Sequence, residues 1–245
     1  IATAGSGNSP SPLALSYESP IKLEGGVEVK ARTFDGVDWS PISSATFKVN
    51  TIPASANNLV VSELNYRPEP ATDEEKVAGF SSRGDFEFIE LLNINTTRSI
   101  NLEGVNFAGG IDFTFNGNLA AEALVLPPGG RVVLVDNVEA FNFRYPNSTA
   151  IIGGNYAGNL SNDGEQIHIV SSNGTTIKDF TYNDVAPWPT SPDGDGFTLT
   201  LVDSDKNPDH SDPSNWTASS NIGGSPGQAD GEGFNGNPEV DQDGD

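Results

Sequence analysis

Short runs in which apolar and polar residues alternate, broken every few positions by Gly, Asn, Asp or Pro, recur along most of this chain. A period of two predicts strands with one buried face, and it falls at 59–65, 86–93, 105–107, 111–115, 131–136, 166–171, 176–182 and 197–202. Two runs depart from simple alternation. In Phe86-Glu87-Phe88-Ile89-Glu90-Leu91 the pattern slips at Ile89, so Phe86 and Phe88 share one face while Ile89 and Leu91 share the other. Val132-Val133-Leu134-Val135 is apolar throughout. Strands apolar on both faces belong where both faces are covered, so both are predicted to be central. One helix is predicted over 138–144, where Asp136 and Glu139 stand in capping-box spacing and Val138, Phe141 and Tyr145 share a face. Many short strands and one short helix predict an all-β sandwich.

Breaks in the pattern divide the chain. Residues 1–12 are small and polar, the composition of a linker, and residues 13–50 alternate over short runs broken by Gly25-Gly26 and Asp35-Gly36, which reads as a small β module. Pro53 and Asn57-Asn58 mark 51–58 as a second linker; 59–229 is the main domain, and 230–245 returns to Gly, Asn and acids as an acidic linker.

Three segments carry a family likeness: Val60-Val61-Ser62-Glu63-Leu64-Asn65-Tyr66, then Gly84-Asp85-Phe86-Glu87-Phe88-Ile89-Glu90-Leu91-Leu92-Asn93, then Leu126-Pro127-Pro128-Gly129-Gly130-Arg131-Val132-Val133-Leu134-Val135. In this order they resemble the core strands of the lamin tail domain family. Asp212-Pro213-Ser214-Asn215-Trp216 and Ile222-Gly223-Gly224-Ser225-Pro226-Gly227 resemble the closing segments of its bacterial members. The resemblance implies an immunoglobulin-like β-sandwich that binds or tethers, in bacteria beside hydrolase and adhesion modules. Residues 13–50, with Trp39-Ser40-Pro41, are similar to the second half of a fibronectin-III-like associated or chitobiase C-terminal-like repeat whose upstream strands are missing.

Charge narrows the partners. A net charge of −22, from 34 acids against 12 bases, repels phosphate backbones and anionic headgroups, so neither nucleic acid nor membrane insertion is expected. From Asp179 onward 14 acids face a single base, Lys206, and a hard cation with oxygen ligands would be at home there. The chain has no Cys, which excludes disulfides and thiolate-bound zinc, and no apolar run reaches the roughly 20 residues of a membrane span. With no Met anywhere, it reads as a piece of a longer secreted protein.

Candidate chemistry is sparse. Gly223-Gly224-Ser225-Pro226-Gly227 spells a nucleophile elbow, but the residue after Ser225 is a proline, which cannot supply the backbone N–H of an oxyanion hole. His168 and His210 are read as surface histidines, and no catalytic residue is expected. Asp85, Glu87 and Glu90 are read as edge and turn anchors. Asp203, Asp205, Asn207 and Asp209 place oxygens at alternate positions like the opening of a calcium loop, although Pro208 and Ser214 stand where that loop has Gly and Glu. Asp193 and Asp195 form a related turn; either group would serve calcium or cap its own turn. Asp241-Gln242-Asp243-Gly244-Asp245 resembles dockerin-type calcium repeats. Trp188, between Pro187 and Pro189, is the candidate platform for a sugar ring. These features predict a non-catalytic extracellular or cell-surface module whose partner is a protein or a glycan, with a carbohydrate-binding module and a calcium-dependent adhesion module as alternatives. Any function it displays is expected in the acidic loops between Pro187 and Asp212.

Overall fold

The computed structural model describes residues 14–23, 27–47 and 51–231. The chain divides into two compact units, with the boundary between Thr51 and Ile52. The first holds an antiparallel pair, β1 (Val27–Ala31) and β2 (Ser43–Phe47). Between them the expected Asp35-Gly36 turn is closed by Asp35, whose Oδ1 accepts the N–H groups of Val37 and Asp38 at 2.9 and 2.8 Å. Phe34 bridges to Trp39 with ring centroids 4.8 Å apart, and the Arg32 guanidinium covers the Trp39 ring at 4.4 Å. The linkers expected over 1–12 and past Gly231, the Gly25-Gly26 turn and the Asp241–Asp245 repeat lie outside the described residues.

The second unit opens with β3 (Thr51–Pro53) and β4 (Leu59–Asn65), followed by α1 (Asp73–Ala78), β5 (Phe88–Asn93), β6 (Ser99–Asn101) and β7 (Asn106–Gly109). It continues through α2 (Ala121–Leu124), β8 (Val125–Leu126), β9 (Arg131–Val135), α3 (Val138–Arg144), β10 (Ile151–Asn155), β11 (Glu165–Val170) and β12 (Thr176–Tyr182). Finally come β13 (Leu199–Leu201) and β14 (Trp216–Ala218). A six-stranded sheet runs in the order β10-β9-β5-β4-β13-β14, against three-stranded sheets β12-β11-β7 and β3-β6-β8. One continuous core joins these sheets. Val61, Ile89, Leu91, Val132 and Leu134 from the large sheet pack with Ile100, Phe107, Ile167, Ile169 and Phe180 from the small ones.

The central positions of β5 and β9 follow from their sequences as expected. Phe88, Val133 and Val135 point to the outer face, where Phe141, Val138 and Tyr145 of the α3 segment cover them. β10 runs parallel to β9, and a parallel pair requires a crossover, which α3 supplies and which carries the helix onto that face. The helix has the expected span, but its cap is Asn137 rather than Asp136: Asn137 Oδ1 accepts from Glu139 and Ala140 N–H at 3.0 and 3.2 Å. Asn137 is the last residue before the first helical one, so its oxygen reaches those amides.

Other expectations change. Phe86 lies in a 3-10 turn, Gly84–Phe86, so the strand starts at Phe88. Residues 111–115 pair only through isolated bridges, Asp112 to Ala157 and Asn106 to Thr114. The supposed linker 51–58 contains β3 and the buried Ala54 and Asn58, so it belongs to the domain. Among the described residues there are three α-helices rather than one. Thr72 and Glu75 form a full capping box for α1, whose Glu75 carboxylate binds Arg144 of α3 through two hydrogen bonds of 2.8 and 2.7 Å. The same guanidinium lies 3.3 Å from the Phe86 ring centroid, so a turn, two helices and an ion pair are tied together.

Candidate functional site

Two acids stand opposite each other in the middle of the large sheet. Glu63 of β4 and Glu90 of β5 are register partners, and their exposures are 1% and 0%. Directly opposed residues project on the same side of a sheet, so the two carboxylates share one dry space. Glu90 Oε1 accepts from Ser62 Oγ at 2.6 Å and forms an ion pair with Arg131 of β9. Glu63 Oε1 accepts from Thr198 Oγ1 at 2.6 Å. The remaining donors come from the closing turn. Ser225 N–H donates to Glu63 Oε1 at 3.0 Å and Gly227 N–H to Glu90 Oε2 at 2.7 Å.

Electrostatics follows from the enclosure. Burial first, and then the charge of Glu90, push Glu63 up to about 8 from 4.5. Burial also raises Glu90, against the opposing pull of Arg131. A third acid, Glu87, is pushed up to about 7 by burial; its Oε2 accepts from Leu160 N–H at 2.8 Å and Tyr156 OH at 3.3 Å. Raised carboxyl groups mark catalytic acids only where a cleft admits a substrate. Here Glu63 and Glu90 hold a turn onto the sheet. Glu87 and Glu90, read as edge and turn anchors, sit instead in the interior, whereas Asp85 holds an exposed turn through Ser82 N–H at 3.1 Å.

The same geometry accounts for the elbow-like motif. Gly224 has φ +73°, and a Cβ there would stand 1.9 Å from Glu63 Oε1, so glycine is required by the close approach. Ser225 Oγ lies 3.2 Å from the Asp230 carboxylate, which also accepts from Ser220 N–H and Oγ, at 2.9 and 2.8 Å. Neither histidine lies among these contacts.

His210 is buried, at 5% exposure, which corrects its reading as a surface residue. Its ring packs against Phe180 and Trp216; Nε2 accepts from Val61 N–H at 3.2 Å and Nδ1 lies 3.0 Å from Pro208 O. Those partners select the neutral tautomer with its proton on Nδ1, and burial lowers the group to about 4 from 6.5. His168 is partly exposed and lies 3.2 Å from Thr176 Oγ1.

Trp188 is also a correction: it is 8% exposed and its ring packs on Trp216 at 6.0 Å, so it does not stand out as a platform. The proposed calcium donors are dispersed. Asp193 pairs with Arg67, and Asp195 is exposed in the following turn. Asp203 pairs with Lys206 at 2.7 Å, and Asn207 Oδ1 accepts from Lys178 Nζ at 2.6 Å. Asp205 is exposed, and Asp209 Oδ1 caps Ser211 N–H at 2.9 Å. Among the described residues no three His, Cys, Asp or Glu side chains converge as a metal site. The loop positions are instead held by lysine ammonium groups, Lys178 also donating to Ala56 O at 3.1 Å.

Of the buried acids only Glu63 was missed, because it sits inside the strand Leu59–Asn65 and reads as a break in the pattern. One signal was present: an acid within a strand rich in apolar residues requires a built set of donors if that strand is covered.

The family model for the Lamin Tail Domain matches residues 52–184, more than half of the chain, and begins after the β1–β2 unit. No curated protein and no solved structure matches. The sandwich extends past the matched span, since β13 and β14 complete the large sheet and the turn at 223–227 seals its outer face. With its immunoglobulin-like β-sandwich, the chain belongs to the lamin tail domain family.

Proposed function

We propose that the chain is a non-catalytic interaction or anchoring module of a larger secreted or surface protein, recognising its partner through loops on the sandwich rather than through a reaction cleft. One observation carries this reading. The buried carboxyl groups of the large sheet, Glu63 and Glu90, have as hydrogen-bond partners the side chains beside them and the backbone of the closing turn. The serine of the elbow-like motif is held in the same contacts, so the residues best suited to catalysis are engaged in closing the fold. A net charge of −22 favours a cationic protein surface over an anionic one.

The test is retention. The fluorescently tagged full chain, incubated with envelope fragments of the producing organism, is expected to be held saturably and to be displaced by unlabelled chain. Retention no greater than that of an inert protein of matching charge overturns the reading. A glycan partner is weakened by the burial of Trp188, and a calcium-dependent one by the dispersal of the loop carboxylates.

A further inference from the structure

The closing segment, residues 219–231, folds back over the outer face of the large sheet and meets ionisable groups there. Its amides at Ser225 and Gly227 donate to Glu63 and Glu90, and Tyr145, at the end of α3, donates its hydroxyl to Gly223 O at 2.9 Å. Each element packed around the pair contributes a known charge or none. β4 brings Glu63, β5 brings Glu90, β9 brings Arg131, the strand entry before β13 brings the neutral Thr198, and the segment itself brings Asp230. Among the described residues the cation facing the pair is therefore a single arginine, against two carboxyls and a third acid nearby.

We propose that the closing segment is a proton-gated clasp, seated while the Glu63–Glu90 pair retains one proton and lifting from the sheet when that proton is lost. Two carboxylates opposed in a dry space repel, and one guanidinium neutralises only one of them. Opening the segment admits water to both, so the open form ionises freely and the closed form holds the proton.

The sign follows from the groups themselves. In the seated form burial and mutual repulsion raise Glu63 to about 8, whereas a solvated glutamate stands near 4.5. The proton-linked contribution to closure is complete below 4.5, shrinks as pH rises above it, and is lost above about 8. One proton changes the opening equilibrium by at most about tenfold per pH unit in that window.

Hydrogen exchange of the Ser225 and Gly227 amides reports the clasp directly. In the full chain between pH 5.5 and 8.5, after correction for intrinsic exchange, the opening constant is expected to rise up to about tenfold per unit and then level off. Glu63→Gln keeps the acceptor and removes one of the two titrating carboxyls, leaving Glu90 with Arg131, so its opening constant is expected to depend on pH clearly less than that of the wild type. Equal pH dependence in the two proteins, or a flat wild type, overturns the proposal. If Glu63→Gln does not fold, carboxyl-carbon NMR of the wild type decides: a Glu63 midpoint well above 4.5 supports the clasp, and an ordinary midpoint overturns it.

Discussion

Glu63 and Glu90 face each other across β4 and β5, both wholly enclosed, and the two backbone donors that reach them from outside the sheet belong to one five-residue turn. Like charges directly opposed in a sheet are destabilising. The arrangement persists because Arg131, Ser62, Thr198 and the turn supply donors on every side. The acids thereby convert the outer face of the sheet from a surface into an interface for the closing segment.

Gly224→Ala is expected to destabilise the domain markedly. The added Cβ would meet Glu63 Oε1 at 1.9 Å and Thr198 at 2.7 Å, with φ already at +73°. Gly129 is the control, because its φ is +69° but nothing lies within 4 Å. Backbone strain alone costs roughly 1–2 kcal/mol. In urea denaturation Gly129→Ala should lose about that much and Gly224→Ala clearly more; equal losses would show that the turn does not press on Glu63.

Arg144 binds Glu75 through two nitrogens and lies on the Phe86 ring, so Lys cannot replace it. Arg144→Ala leaves Glu75 buried without its cation, a change that costs about 3–5 kcal/mol for a buried pair. Arg144→Lys is expected to recover less than half of the loss, measured by chemical denaturation. Full recovery would mean that charge alone, not the fork and the stack, holds α1 to α3.

His210 should impose an acid limit on stability. Its folded value is lowered to about 4 from 6.5, so its contribution is complete above 6.5 and is lost as pH falls toward 4. Ring-nitrogen NMR at neutral pH is expected to show the proton on Nδ1, with titration near 4. A midpoint near 6.5 would contradict the hydrogen bond from Val61.

Calcium is expected to leave the melting temperature of this chain unchanged, and so is EGTA, because lysines hold Asp203 and Asn207. Lys178→Met should lower the melting temperature by loosening the 203–209 loop from Ala56. A melt that falls with EGTA and recovers with calcium would restore the calcium reading.

Trp188→Ala is expected to cost about 3–5 kcal/mol in urea denaturation, as for a core aromatic. A variant as stable as the wild type would return Trp188 to the surface.

The strand core was legible because its pattern is local. In β5 and β9 the apolar residues on both faces reported central, doubly covered strands, and those strands are central. β12 was read with its observed limits, and α3 with its span and its apolar face. Strands such as β3, β6, β8 and β14, only two or three residues long, were not readable, since runs so short show no period and exist only through their partners.

Composition and periodicity by themselves determined the sandwich and its central strands. Only the tertiary structure decided where each polar side chain goes. Trp188 and His210 sit in loop sequence yet are buried by long-range packing, and Glu63 and Glu90 become a pair through a register that no one strand encodes. Periodicity records which side of its own strand a residue occupies. It does not record what the chain later lays over that side, and here a turn more than 130 residues beyond Glu63 and Glu90 makes them the anchor of the fold.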